Sequence, residues 1–127
     1  MTNTGPGYTE HPDHHVTLAD HPGRHRVLFN GEAVADSTRT LLMIESGCPR
    51  VHYFPLADVR MDLMRSSNRH THCPFKGKAS YWHVTVGGKT AEHAVWVYPD
   101  PYDEVARIGD RVAFDMNQMD EIRFGGG

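Results

Sequence analysis

The chain has 127 residues and a formal charge of −3, from 13 basic and 16 acidic side chains. This length accommodates one core, and an acidic balance without a basic stripe argues against a nucleic-acid partner. The two cysteines provide no disulfide framework and no apolar run approaches the ~20 residues of a membrane helix, so a cytoplasmic protein with no membrane partner is expected.

The first two dozen residues are rich in glycine and proline and contain little that could enter a core. We therefore expect a flexible N-terminal arm at residues 1–24, a single β-rich domain at 25–124 and a glycine tail at 125–127. The histidines from His11 to His25 lie among proline, glycine and aspartate, and they are interpreted as solvated.

Short runs of β-branched and aromatic residues, separated by turn residues, predict a series of short antiparallel strands. Asn30-Gly31 is a strong hairpin signal, because both residues tolerate the positive φ of a tight turn, and Gly87-Gly88 supplies a second turn. The predicted strands are 25–29, 32–36, 40–45, 50–54, 79–86, 94–98, 111–115 and 118–124.

The remaining segments are predicted to contain little helix. Residues 55–64 fit a helical turn that runs into a strand, 66–77 have the composition of a loop, and 102–108 fit one or two helical turns after a proline. The expected fold class is therefore all-β, a mainly antiparallel small sandwich or barrel with one or two short helical turns.

A set of short segments spans nearly the whole predicted domain. They are Gly31-Glu32-Ala33-Val34-Ala35-Asp36-Ser37, Glu45, Tyr53-Phe54-Pro55, Asp58-Val59, Cys73-Pro74-Phe75-Lys76-Gly77, Ala79, Tyr81, Trp96-Val97-Tyr98, Pro101 and Val112-Ala113-Phe114. In their order and spacing, from about Arg26 to Phe124, these segments resemble the bacterial family called domain of unknown function 427.

The resemblance implies a small β-rich domain, and the family carries a nucleotidyltransferase-like label. Nucleotidyl transfer usually needs two or three carboxylates that converge on Mg²⁺, together with a glycine-rich phosphate cradle. Asp36, Glu45 and Asp58 are the carboxylates that the fold would have to bring together, and no glycine-rich loop precedes a helix in this sequence.

The segment Cys73-Pro74-Phe75-Lys76-Gly77 is the most unusual of the chain. Proline and glycine specify the backbone of this loop tightly, which suits a site whose geometry must be held. Cys73 is a candidate nucleophile whose thiolate Lys76 would favour, and Lys76 is a candidate anion-binding group. The alternative is a buried cysteine used for packing and a surface lysine.

Glu45 follows four apolar residues and shares a strand face with Leu41 and Met43. A carboxylate on an inner face needs a partner or a raised pKa, so Glu45 is a candidate general acid or base. Aromatic side chains of neighbouring strands could wall a pocket for a planar or acidic ligand, or fill the core instead. The candidate ligand-binding residues are Tyr53, Tyr81, Trp96 and Tyr98.

His70 and His72 would point to the same face of a strand, the spacing that lets two imidazoles share a metal. A third ligand would have to be Cys73, another histidine or a carboxylate. A divalent metal is therefore the one candidate cofactor, with His70 and His72 as its first ligands.

Two functional classes remain open. The first is an enzyme acting on a small molecule of unknown identity, with a pocket beside the Cys73–Gly77 loop, Lys76 for an anionic group, and Glu45 or Cys73 for acid–base or nucleophilic chemistry. The second is a module that binds a small molecule or a metal without chemistry, while a nucleotidyltransferase-like activity is a weaker alternative. A homo-oligomer is a further option that the sequence does not decide.

Overall fold

The computed structural model describes the backbone of residues 3–124 and the side chains of residues 3–120. The predicted glycine tail at 125–127 lies outside the described residues. Ten strands form two antiparallel sheets, one of seven strands and one of three, and this confirms the mainly β fold. No helix in this part of the chain is long and apolar enough to cross a membrane.

The larger sheet has the strand order β1-β4-β5-β9-β8-β7-β6, and the smaller sheet has the order β10-β2-β3. The strands of the larger sheet are β1 (Val16–His21), β4 (Thr40–Glu45), β5 (Val51–Pro55), β6 (Met64–Cys73), β7 (Gly77–Val86), β8 (Lys89–Val97) and β9 (Arg111–Phe114). Those of the smaller sheet are β2 (His25–Phe29), β3 (Glu32–Ser37) and β10 (Glu121–Phe124).

Tight turns connect the hairpins where the sequence predicts them. Asn30 and Gly31 have φ values of 49° and 81°, and Gly87 and Gly88 have values of 57° and 81°. Two consecutive residues with positive φ match the twist of the flanking strands, which is why these residue types join β2 to β3 and β7 to β8.

The smaller sheet packs on one face of the larger sheet and forms a first core. Val27 and Val34 from the smaller sheet meet Phe54, Val95 and other residues from the larger one. Because side chains alternate along a strand, the neighbours of these residues point to the opposite face.

That opposite face holds a second core, around Leu41, Tyr53 and Ala79. Leu41 lies on β4 and Ala79 on β7, which are separated by three strands in the sheet. Since both belong to the same cluster, the sheet must curl until distant strands face each other. The short helical segment Asp103–Ile108 adds Val105 and Ile108 to this cluster.

The N-terminal residues differ from the expected arm. Residues Gly7–Glu10 form a single helical turn, α1, and β1 pairs with β4 from Val16↔Glu45 to His21↔Thr40. The sequence signal of β1 is weak because this edge strand has one partner and half of its residues are exposed, so it needs few apolar residues.

The segment 66–77 also differs from its predicted loop. Residues Met64–Cys73 form β6, an edge strand paired with β7, and only the turn to β7 keeps the loop character. Its polar composition fits a strand whose side chains are mostly exposed. The predicted turns are confirmed at Leu56–Asp58 and Met61–Leu63, which precede β6, and at Asp103–Ile108.

Candidate functional site

A cleft opens in the larger sheet where β5 and β9 separate. Their ladder contains two pairs, Phe54↔Val112 and Pro55↔Arg111, whereas β4 continues beside β5 as far as Val51. The first residues of β5 and the last residue of β9 therefore lack each other as neighbours. Both border a cleft of about 480 Å³.

The walls of this cleft are mostly apolar, and its polar groups are few. Apolar side chains come from both cores, since Phe54 and Phe114 belong to the first and Trp96 to the second. Such a combination is typical of small-molecule sites. The lining residues are Val27, Glu45, Cys48, Pro49, Arg50, Val51, His52, Phe54, Lys76, Trp96, Phe114, Asp115, Met116 and Asn117.

An ion pair joins the two sides of the curled sheet at this cleft. Glu45 ends β4 and Lys76 precedes β7, and Nζ of Lys76 lies 2.6 Å from Oε1 of Glu45. The second oxygen of Glu45 lies 2.8 Å from Nε2 of His14, in the segment between α1 and β1. With side chains only 10% and 15% exposed, the carboxylate and the ammonium are largely withdrawn from water.

The protonation states of this pair follow from its contacts. Burial acts to raise the pKa of Glu45, but the bonds to Lys76 and His14 outweigh it and lower that pKa. Burial likewise acts to lower the pKa of Lys76, and the carboxylate of Glu45 reverses the direction. The pair is therefore a carboxylate and an ammonium near neutral pH.

The two carboxylates of the cleft are engaged, whereas its two cationic side chains keep open hydrogen-bond donors. Both oxygens of Glu45 are engaged, and those of Asp115 accept the backbone N–H of Asn117 and the side-chain amide of Gln118. An ammonium has three N–H groups, and within the described side chains Glu45 alone is bonded to that of Lys76. Arg50, exposed beside the cleft, makes no ion pair with a described residue.

Two predicted ligand-binding tyrosines belong to the second core and do not line the cleft. Tyr53 and Tyr98 are 1% and 7% exposed, and burial raises the pKa of both hydroxyls. The indole N–H of Trp96, which does line the cleft, donates to the hydroxyl of Tyr53 over 3.4 Å. A ligand-binding role for Tyr53 and Tyr98 stays a prediction, and neither side chain reaches the cleft lining.

Cys73 and Tyr81 also stand outside the cleft lining. Cys73 is half-buried against the second core. It is the last residue of β6, and its carbonyl accepts the backbone N–H of Lys76 in the following turn. The hydroxyl of Tyr81 bonds that of Thr71, and the guanidinium of Arg69 covers the ring of Tyr81. The structure thus brings Glu45, Lys76 and Trp96 together at the cleft, without Cys73 or Tyr81.

His70 and His72 share a face of β6, as predicted, because they pair with Ser80 and Lys78 of β7. His72 bonds the hydroxyl of Tyr102 and His70 that of Ser80. Among residues 3–120, however, no three side chains of histidine, cysteine, aspartate or glutamate are arranged to hold a metal ion. The third ligand that this hypothesis needs is not supplied by the described residues.

The three carboxylates considered for nucleotidyl transfer have separate cationic partners. Asp36 binds Arg24, Asp58 binds Arg39, and Glu45 binds Lys76. This arrangement does not bring two carboxylates to one point.

Two histidine contacts were missed by sequence reasoning. His14 was interpreted as solvated, but it bonds Glu45 and stacks on Phe75 with ring centroids 4.1 Å apart. His52 lines the cleft, and its ring lies 5.0 Å from His21 and 4.9 Å from His25. No local sequence pattern predicts the contacts of His14 or His52, because each contact joins residues from separate strands or segments.

Comparisons with known proteins agree with the resemblance seen in the sequence. A search of curated proteins found no match. A family model described as "Domain of unknown function (DUF427)", whose name carries a nucleotidyltransferase label, matches residues 17–125. This match covers nine strands completely and all but the first residue of β1. The chain therefore belongs to the DUF427 family.

Proposed function

We propose that this protein binds a small planar molecule in the cleft between β5 and β9, with an acceptor-rich head group such as a carboxylate against Lys76. The supporting observation is the distribution of polar groups. Donors of Lys76 and Arg50 are open in a cleft whose two carboxylates are engaged and whose other walls are mostly apolar.

The head group is selected by hydrogen bonding more than by net charge. The charges of Arg50, Lys76, Glu45 and Asp115 sum to zero among the lining residues. A second negative charge on the ligand would add little binding energy at such a site. A single carboxylate can accept hydrogen bonds from the open N–H groups of Lys76, while the aromatic part of the ligand packs on Trp96.

Intrinsic fluorescence tests this proposal, because the chain has two tryptophans and only Trp96 lines the cleft. In a Trp82→Phe background, titration with 1-naphthoate should change the Trp96 emission saturably. 1-Naphthamide, which has the same body without the charge, should bind at least about tenfold more weakly.

Lys78 offers a matched control, since it lies two residues from Lys76 but outside the cleft lining. Lys76→Met should abolish the saturable response to 1-naphthoate, and Lys78→Met should retain it. The melting temperature of each variant establishes that it is folded. An absence of saturation with the parent protein, or an equal response in both lysine variants, would overturn the proposal.

Acid–base chemistry by Glu45 is the second candidate function. It is supported by the bond from Glu45 to His14, because a carboxylate joined to an imidazole can pass a proton from the cleft to the outer surface. If Glu45 exchanges a proton with the ligand, the heat of 1-naphthoate binding should depend on the ionisation enthalpy of the buffer. Equal heats in buffers of low and high ionisation enthalpy would rule out proton exchange by Glu45, and only the binding function would then remain.

A further inference from the structure

Three backbone irregularities coincide on neighbouring strands away from the cleft. The β6–β7 ladder shifts register between Ser66 and His70, and the β7–β8 ladder shifts between Trp82 and Val84. On β8, His93 has a φ of 53°, in the left-handed region that few residues other than glycine adopt. Such irregularities re-aim side chains, and they are frequent beside functional sites.

The side chains at these three irregularities contact one another. Oγ of Ser67 lies 2.7 Å from Nδ1 of His93. The backbone N–H of His93 donates to Nδ1 of His83 over 3.0 Å, and the two imidazole centroids are 4.8 Å apart. The backbone N–H of Arg69 donates to Oγ of Ser67, also over 3.0 Å.

We infer that Ser67 is a nucleophile activated by His93, in a second site that acts on small carboxylic esters. A nucleophile, a base within hydrogen-bond reach and a third group that holds the base form the arrangement that makes a serine hydroxyl reactive. Here His83 positions the base by accepting the backbone N–H of His93. The backbone N–H of Arg69 stabilises negative charge on Oγ of Ser67. None of these residues lines the cleft between β5 and β9.

The proton inventory of this site is complete. With the proton of His93 on Nε2, the hydroxyl of Ser67 donates to Nδ1. Oγ attacks the ester carbonyl, its proton passes to Nδ1, and the C–O bond to the alcohol breaks as the alcohol takes that proton. Water then attacks the acyl-serine and gives a proton to Nδ1. The bond between the acyl carbon and Oγ then breaks, the carboxylic acid leaves, and Oγ of Ser67 takes the proton back from Nδ1.

The adjoining cavity limits the substrate to short acyl groups. It measures about 480 Å³ and has no large apolar side chain in its lining, so a long hydrocarbon chain would find nothing to pack on. Its lining residues are Arg65, Ser66, Ser67, Asn68, His83, Thr85, Thr90 and Glu92.

Covalent labelling tests this inference with the full chain. Incubation with diisopropyl fluorophosphate should add one phosphoryl group to Ser67, with loss of fluoride, as mapped by peptide mass spectrometry. Hydrolysis of p-nitrophenyl acetate should exceed that of the Ser67→Ala variant at least tenfold. Ser66→Ala is the matched control, because Ser66 lines the same cavity without a bond to His93, and it should keep both reactions.

His93→Asn separates chemistry from folding, since asparagine tolerates the left-handed backbone but cannot act as the base. This variant should keep the melting temperature and lose labelling at least tenfold. Labelling at another residue, no labelling at all, or undiminished labelling of His93→Asn would overturn the inference.

Discussion

The ion pair between Glu45 and Lys76 is a buried contact with two opposing energetic terms. Removing both charges from water costs several kcal/mol per ion, and their mutual attraction offsets that cost only while both partners are present. A single substitution therefore leaves the remaining charge largely withdrawn from water. His14 gives Glu45 a second partner, whereas no other described carboxylate forms an ion pair with Lys76.

Lys76→Met should lower the free energy of unfolding by about 2–4 kcal/mol, because the Glu45 carboxylate stays buried with His14 as its remaining partner. The double variant Glu45→Leu with Lys76→Met should regain more than half of that loss, since it removes both desolvation costs. Urea denaturation measures both. Equal stability of Lys76→Met and the parent protein would show that the pair contributes nothing to folding.

Sequence reasoning located individual residues of the site better than their contacts. Glu45 and Lys76 were singled out by an inward-facing carboxylate and a rigid loop, and both line the cleft. Their pairing depends on the curl of the sheet, which places the end of β4 beside the start of β7, and no local pattern encodes that curl. The same holds for His14, which reaches Glu45 from a segment that has no periodicity.

At the scale of elements, hairpins with strong turn chemistry were predicted and weakly patterned edge strands were not. Asn30-Gly31 fixes the β2–β3 hairpin locally, so its signal is contained in two residues. The edge strands β1 and β6 expose half or more of their residues, and they therefore carry polar sequences that are also typical of loops. Propensity alone cannot separate the two possibilities.

The N-terminal segment should stabilise the domain, whereas the flexible arm expected from the sequence would be dispensable for folding. The N–H of Gly7 donates to the backbone carbonyl of Pro74, and the hydroxyl of Tyr8 donates to the backbone carbonyl of Phe75. The ring of His14 stacks on the ring of Phe75. Deletion of residues 1–14 should lower the free energy of unfolding by about 2–4 kcal/mol, which is a loss of several degrees in melting temperature. An unchanged melting temperature would show that these contacts contribute nothing.

Gly7→Ala probes the same packing without removing any chain. A Cβ at Gly7 would approach the Phe75 ring to 2.7 Å, so the ring or α1 must shift. We expect a loss of about 1–3 kcal/mol, as for other overpacked contacts, measured by urea denaturation. A substitution that costs nothing would mean that α1 moves freely on the body.

For the whole molecule, the packing of the two sheets gathers ionisable groups from distant parts of the chain. His21 from β1, His25 from β2 and His52 from β5 have ring centroids 4.9–5.0 Å apart, and Thr40 from β4 bonds His52. Burial, with His25 and His21 nearby, lowers the pKa of His52 to about 4. Protonating His52 in the folded state is therefore unfavourable.

This cluster predicts a loss of stability in mild acid. The folded pKa of His52 lies below the value of about 6.5 in an unfolded chain, so between pH 6.5 and pH 4 the unfolded state binds more protons. The contribution of His52 to stability is therefore fully present above pH 6.5 and falls as the pH decreases through this window. Because His52 is partly exposed, we expect its contribution to be about 1–2 kcal/mol.

Urea denaturation of the parent protein and of His52→Gln, at about pH 7 and about pH 5, measures that contribution. Glutamine keeps a hydrogen-bonding group beside Thr40 but takes up no proton, so His52→Gln should lose less stability between the two pH values than the parent. The buried carboxylate of Glu45 loses stabilisation only at lower pH, since its pKa is lowered from an already acidic value. His70→Gln, at an exposed position of β6, is the matched control and should retain the full parental pH dependence. If His52→Gln and the parent protein lose equal stability, the acid sensitivity arises elsewhere in the molecule.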